Sequence, residues 1–96
     1  MISIIIPYKN SATFFNECLQ SIISQSYQNF ELILINDHSI DQSKNIAKKF
    51  QLNDQRIILI ENQGNGIVDA LITGSKVAKG QFITRMDSDD LMRNDK

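Results

Sequence analysis

The sequence predicts an α/β fold in the order β-α-β-α-β-α-β, an open and mostly parallel sheet with helices on both faces. Three observations predict it. Four short runs rich in isoleucine and leucine recur along the chain: "ISIII" (2–6), "ELILI" (31–35), "RIILI" (56–60) and "QFIT" (81–84). Most are continuous rather than alternating, the pattern of strands covered on both faces, as in a parallel sheet. Stretches with helical spacing separate them, each long enough for a crossover between parallel neighbours.

The elements follow in order. The first helix is expected over about 12–25, where Phe14, Phe15, Cys18, Leu19, Ile22 and Ile23 form an apolar stripe. The second, over about 40–51, places Ile46, Ala47 and Phe50 on one face, and Ser39 with Gln42 three positions on fits a capping box at its start. The third, over about 66–79, carries Ile67, Ala70, Leu71, Gly74, Val77 and Ala78 along one side. Gly80 then suits the left-handed residue that often follows a helix C-terminus. No linker, repeat or low-complexity segment interrupts this alternation.

Size and composition set the outer limits. A chain of 96 residues with 42% hydrophobic and 22% charged residues is one ordinary globular domain at most, with a modest core and a thin stability margin. A formal net charge of -1 supplies no field for gripping nucleic acid. The single cysteine, Cys18, allows no internal disulfide and reads as a small buried apolar residue. The first apolar run lacks a basic region before it and is too short for a signal peptide, and no run approaches the length of a membrane span. The expected location is therefore the cytoplasm.

Each strand ends in polar or turn-prone residues: "PYKN" (7–10), "NDHSID" (36–41), "ENQGNG" (61–66) and "DSDD" (87–90). In open α/β sheets ligands bind at the carboxyl ends of strands, where strand order reverses, so these loops point to one site. "DSDD" can be a solvated turn, a ligand set for a hard divalent ion, or acid-base machinery. The divalent ion is preferred, because it offsets the mutual repulsion of Asp87, Asp89 and Asp90. Asp37, at the end of the second strand, suits either a hydrogen bond from a base or ribose or a cap on the helix near Ile40. Gly64 and Gly66 ahead of a helix fit either phosphate binding or a plain turn. His38 and Lys9 carry little weight alone. The first βα turn contains no glycine, which counts against a dinucleotide-binding Rossmann domain.

With these residues assembled, the chain resembles the N-terminal part of a family 2 glycosyltransferase of the GT-A fold, over nearly all its length. "ISIIIPYKN" is similar to the family's opening strand and turn. "CLQSIISQSYQNFELILINDHSIDQS" resembles the helix, the Q-x-Y-x-x-[FW]-E link and the VDDGSxD loop. "ENQGNGIVDALITGSKVAKGQFITRMDSDD" resembles the segment leading through A-x-G-x-[YF]-I into the metal-binding D-x-D. The fold implied is the Rossmann-like half of a GT-A domain. The function implied is transfer of a sugar, with inversion, from a nucleotide-diphosphate sugar to an acceptor the sequence does not name.

The resemblance also implies roles. Pro7 and Tyr8 would line the base and ribose, Asp37 would hydrogen-bond the base, and Asn10 and Gly64 would belong to the same nucleotide-sugar site. Asp87 and Asp89 would be the outer members of the D-x-D that holds Mn²⁺ or Mg²⁺, Asp89 as the direct ligand and Asp87 nearer the ribose or the metal's waters, with Ser88 in the nucleotide-sugar site. A UDP-sugar is the donor the family uses most. The family's general base lies downstream of the D-x-D, so the catalytic residue is expected beyond Lys96 and residues 1–96 are read as a donor-binding part cut short after that motif. An unpaired edge on the last strand would then favour self-association, and any membrane association would be peripheral and belong to the longer enzyme. Asn36, His38 and Ile72 depart from the family pattern, His38 standing where a glycine would take a positive φ. Two other classes compete. A phosphoacceptor receiver domain needs an acidic pair after the first strand and an aspartate after the third, and "PYKN" and "ENQG" count against it. A non-catalytic nucleotide-binding or interaction module with the same fold stays as the alternative.

Overall fold

The computed structural model describes residues 1–88. Its elements are β1 (Ile2–Tyr8), α1 (Ala12–Ser24), β2 (Phe30–Asn36), α2 (Ser43–Asn53), β3 (Ile57–Glu61), α3 (Gly66–Val77) and β4 (Phe82–Arg85). All strands pair in parallel, in the order β3-β2-β1-β4. The continuous apolar runs have their reason here. β1 and β2 lie inside the sheet, and β2 is buried along its whole length.

Side-chain alternation along β1 and β2 divides the core between two layers. Ile4, Ile6, Tyr8, Leu32 and Leu34 face α1 and α2, where they meet Phe15, Cys18, Leu19, Ile22, Ala47 and Phe50. Ile5, Ile33 and Ile35 face α3 and pack on Ala70. Gly74 of α3 lets the helix sit close to the sheet, since a Cβ there would meet Ile5 Cγ2 at 2.8 Å.

Three local expectations are corrected. The capping box does not form: α2 begins at Ser43, and the carboxylate of Asp41 accepts the Ser43 N–H at 2.9 Å in its place. Ile67 and Val77 are exposed, and Thr73 joins Ala70 and Gly74 on the buried side of α3. Gly80 has no positive φ; it is small because a Cβ would lie 2.7 Å from Ser3 N and Oγ and 2.8 Å from Met1 O. That crowding follows from a buried cluster beneath the sheet. Glu31 Oε2 accepts Ser3 Oγ–H at 2.5 Å and Lys79 N–H at 2.6 Å, while Ser3 Oγ accepts Gly80 N–H at 2.8 Å. The link from α3 into β4 is thereby tied to β1 and β2.

Candidate functional site

Strand order reverses between β1 and β4: β2 and β3 continue to one side of β1, and β4 lies on the other. The Tyr8 carbonyl accepts from Asp37 N on the β2 side, and the Ile5 carbonyl accepts from Met86 N on the β4 side. Alternation therefore turns the main-chain groups of residue 7 toward β4. Pro7 has no N–H to give there, and pairing between β1 and β4 ends at Ile5↔Arg85. The two strands part, and a cleft of about 540 Å³ opens at their carboxyl ends.

Pro7, Tyr8, Asn10, Asp37, Asp87 and Ser88 line this cleft together. Gly64 is not among its lining residues, and Asp89 lies outside the described residues. Lys9, Ser11, Phe14, Ile67 and Arg85 complete the walls. The Tyr8 ring is buried and stacks on Phe15, with centroids 4.6 Å apart, so it forms a fixed wall more than a free side chain. Burial, and then the charge of Glu61, push its phenol above the usual range, which keeps it neutral. Phe14 and Ile67 are half exposed and supply apolar surface at the rim.

Asp37 is buried, and its partners decide what it can do. Oδ1 accepts from Asn62 Nδ2 at 3.0 Å and from Gly66 N at 3.1 Å, and Oδ2 takes a longer Gly66 N–H at 3.2 Å. It thus caps a helix, but that helix is α3 and not α2. The turn before α3 is already occupied: Gly66 N–H is given to Asp37 and Asn65 N–H to Asp69 Oδ2 at 3.0 Å. Gly66 takes φ 84°, a conformation that favours glycine, whereas Gly64 is small because a Cβ would strike the Asp69 carboxylate.

The two loops that floor the cleft are stitched to each other. Asn10 N–H donates to Ser39 Oγ, Ile40 N–H to Asn10 Oδ1, Ser11 N–H to Ser43 Oγ and Ala12 N–H to Asp41 Oδ2. Asn10 sits at φ 49° and His38 at φ 61°, so the turn takes the left-handed conformation without the family's glycine. His38 Nε2 meets Gly64 O at 2.9 Å, which joins this loop to the turn before α3. Asp41, not singled out in the sequence, serves the first turns of both α1 and α2. The Ser43 hydroxyl first, and then the main-chain N–H groups, hold its carboxyl below the usual range against the opposing effect of desolvation. The signal for it was present: an aspartate two residues ahead of a helix.

At the far wall Arg85 Nη2 meets Asp87 Oδ1 at 3.0 Å, both half exposed. Ser88 Oγ lies 2.6 Å from Ser11 Oγ, and the Asp87 carbonyl accepts from Cys18 Sγ at 3.7 Å. These contacts fasten the end of β4 to α1. Among the described residues no three histidine, cysteine or acidic side chains form a metal-binding group. No helix among them is long and apolar enough to cross a membrane.

Comparison with known proteins places this geometry. The family model described as glycosyl transferase family 2 matches residues 3–96. The glycosyltransferase GlyG of Streptococcus pneumoniae is 40% identical over 95 residues, which take in 97% of this chain and 31% of that protein. The chain thus spans less than a third of that relative. Staphylococcus aureus TarS 1-349 in complex with UDP-GlcNAc superposes with a TM-score of 0.89 at 28% identity, over 98% of this chain and 28% of TarS 1-349. The mannosyltransferase PcManGT of Pyrobaculum calidifontis, in complex with GDP-Man and Mn²⁺, shares the fold with a TM-score of 0.85 at 24% identity, over 94% of this chain and 28% of its own. An open parallel sheet with a cleft at its switch point, matched by the family model from the third residue on, makes this chain a member of glycosyl transferase family 2.

Proposed function

We propose that the cleft binds the nucleotide-diphosphate part of a sugar donor, most simply a UDP-sugar, for an inverting glycosyltransferase whose acceptor-binding half and general base lie outside residues 1–96. The observation that carries the reading is the meeting of Pro7, Tyr8, Asp37 and Asp87 at the point where β1 and β4 part. The likeness to TarS, determined with UDP-GlcNAc, supports it. In this reading Asp37 accepts an N–H of the base through Oδ2, and the fixed Tyr8–Phe15 pair and Pro7 form the wall beside it. Lys9 and Arg85 give the cleft positive charge where a diphosphate would lie.

The residues fit a hard divalent ion in kind. Asp87 is a half-exposed carboxylate beside the Ser88 hydroxyl, and Mg²⁺ or Mn²⁺ commonly takes one or two carboxylates and leaves positions for phosphate and water. Asp89 is the second proposed ligand. Such an ion, when bound, offsets the charge of the departing nucleotide. Arg85, paired with Asp87 at 3.0 Å, would compete for the carboxylate that holds the metal and would be available to phosphate when Asp87 is so engaged.

The test is an NMR titration of the purified chain with UDP, with and without Mg²⁺, alongside Asp89→Asn. Saturable shifts around Tyr8, Asp37 and Asp87 that require the metal and weaken in the variant are expected. A folded chain that shows no saturable shift with UDP, GDP or dTDP would refute the donor-site reading.

A further inference from the structure

Asn62 is buried at the start of the turn before α3, and both of its amide N–H groups and its carbonyl oxygen are engaged. Nδ2 donates to Asp37 Oδ1 at 3.0 Å and to Gly66 O at 3.1 Å. Oδ1 accepts Gly64 N–H at 3.1 Å and lies 3.4 Å from the Thr73 hydroxyl, whose proton goes to Asp69 O at 2.9 Å. Its main-chain N–H extends the β2–β3 pairing by donating to Asn36 O at 2.9 Å. The amide cannot be reversed. A flipped side chain would set Oδ1 against the Asp37 carboxylate and the Gly66 carbonyl, and its amino group against an N–H. Two donors, Asn62 Nδ2 and Gly66 N, are thereby fixed on Oδ1 of Asp37. Oδ2 has only the longer Gly66 contact among the described residues, and Asp37 lines the cleft.

We propose that Asn62 is a positioning residue for nucleoside recognition: acting through Asp37, it sets the carboxylate rotamer that presents Oδ2 to an N–H donor of the base. The inference rests on the donor-site reading above. It asks of position 62 a neutral group that donates on one side and accepts on the other. Aspartate, of the same shape, cannot donate to Asp37 unless it takes up a proton, and otherwise places two carboxylates in contact.

The experiment compares the wild-type chain, Asp37→Asn and Asn62→Asp by UDP titration with Mn²⁺ at pH 8 and at pH 6, and follows the Gly66 amide resonance without nucleotide. Asn62→Asp is expected to weaken UDP by about tenfold or more at pH 8, the scale of one lost hydrogen bond to a charged group. Part of that loss should be regained at pH 6. The neighbouring charged groups (Glu61, Lys44, His38 and Asp69 on the loop side, Lys9, Arg85 and Asp87 across the cleft) are common to both proteins, so the ratio of the two affinities reports position 62. The Gly66 amide should move in Asn62→Asp before any nucleotide is added. Wild-type affinity in Asn62→Asp at pH 8, while Asp37→Asn loses binding, overturns the inference and leaves the donor site standing. A loss equal at both pH values, in a folded variant, reduces Asn62 to a structural residue and overturns it as well. If UDP binds no form of the chain, the donor-site reading fails, and an unmoved Gly66 amide then sinks the positioning claim on its own. Should Asn62→Asp not fold, Asn62→Ser, which removes the amide donor without adding charge, is read at pH 8 alone: weakened UDP binding together with a moved Gly66 amide is expected, and wild-type affinity overturns the inference.

Discussion

Replacing Glu31 tests the account of how β4 is held, and through β4 the end of the strand that carries Asp87 and Ser88. Glu31 is 7% exposed, and one oxygen takes both the Ser3 hydroxyl at 2.5 Å and the Lys79 N–H at 2.6 Å. Glu31→Ala leaves both donors without an acceptor. An orphaned buried donor costs about 1–3 kcal/mol, so the expected loss is about 3 kcal/mol. A domain of this size has roughly 5–14 kcal/mol in all, so the loss is large. Glu31→Gln can keep an oxygen in the same place and loses only the charge, for about 1–2 kcal/mol. Urea unfolding followed by circular dichroism measures both, provided the slope with denaturant is unchanged.

The pH dependence supplies a second check. Burial pushes the Glu31 carboxyl up, but Lys79 N–H, the Ser3 hydroxyl and Gly80 N–H outweigh it, and the net displacement is downward from the usual 4.5. A carboxylate lowered in the folded state stabilises fully above its unfolded value, and that stabilisation fades as pH falls through the folded value. The gap between wild type and Glu31→Gln should therefore be constant from neutral pH to about 5 and close below about 4.5. A Glu31→Ala loss under about 1 kcal/mol, or a gap that widens in acid, would refute the reasoning.

Gly80→Ala should cost about 1–3 kcal/mol, because its Cβ meets main-chain atoms of Ser3 and Met1 that cannot rotate away; a thermal melt within 2 °C of wild type would contradict this. Arg85→Gln removes the cation beside Asp87, so Mn²⁺ alone should bind up to about fivefold tighter, the scale of one exposed ion pair, while UDP binds more weakly. Mn²⁺ line broadening at Ser88 that is the same in both proteins would rule out the proposed competition. β4 is the edge strand of the described sheet and exposes Phe82 by 68% and Ile83 by 54%, so self-association through this edge is predicted. Phe82→Lys with Ile83→Lys should lower the mass seen by light scattering at high concentration, and a wild-type monomer there would count against the idea.

The fold was legible because buried parallel strands leave a compositional mark. β1, β2 and β3 are near-continuous isoleucine and leucine, and α1 repeats its apolar residues with helical period. What local sequence could not supply was the identity of partners distant along the chain. Asp37 reads equally as a cap for α2 or a ligand contact, and nothing local shows that it caps a helix 29 residues on. Gly80 carries the mark of a helix end, yet its reason is Ser3, 77 residues before it. Ser39 and Gln42 satisfy a capping pattern that Asp41 preempts, because Asp41 can serve α1 and α2 at once. Arg85 gave no signal at all, since a cation after an apolar strand is commonplace until the cleft beside it is known.

The same residues explain why capping and recognition need not conflict at Asp37. A carboxylate has about four acceptor positions, and the start of α3 together with Asn62 draws chiefly on Oδ1. What remains is an oxygen whose direction is fixed by groups that do not depend on the ligand. Recognition then needs no reordering of the side chain, and the entropy of ordering it is met on folding and not on binding. Pro7 works in the same direction by another route. By withholding one N–H from β4 it keeps the strands apart at the height of Asp37, so Asp37 borders an open cleft and not a neighbouring strand. The cleft is therefore a consequence of how the sheet ends, and its acceptor a consequence of how α3 begins.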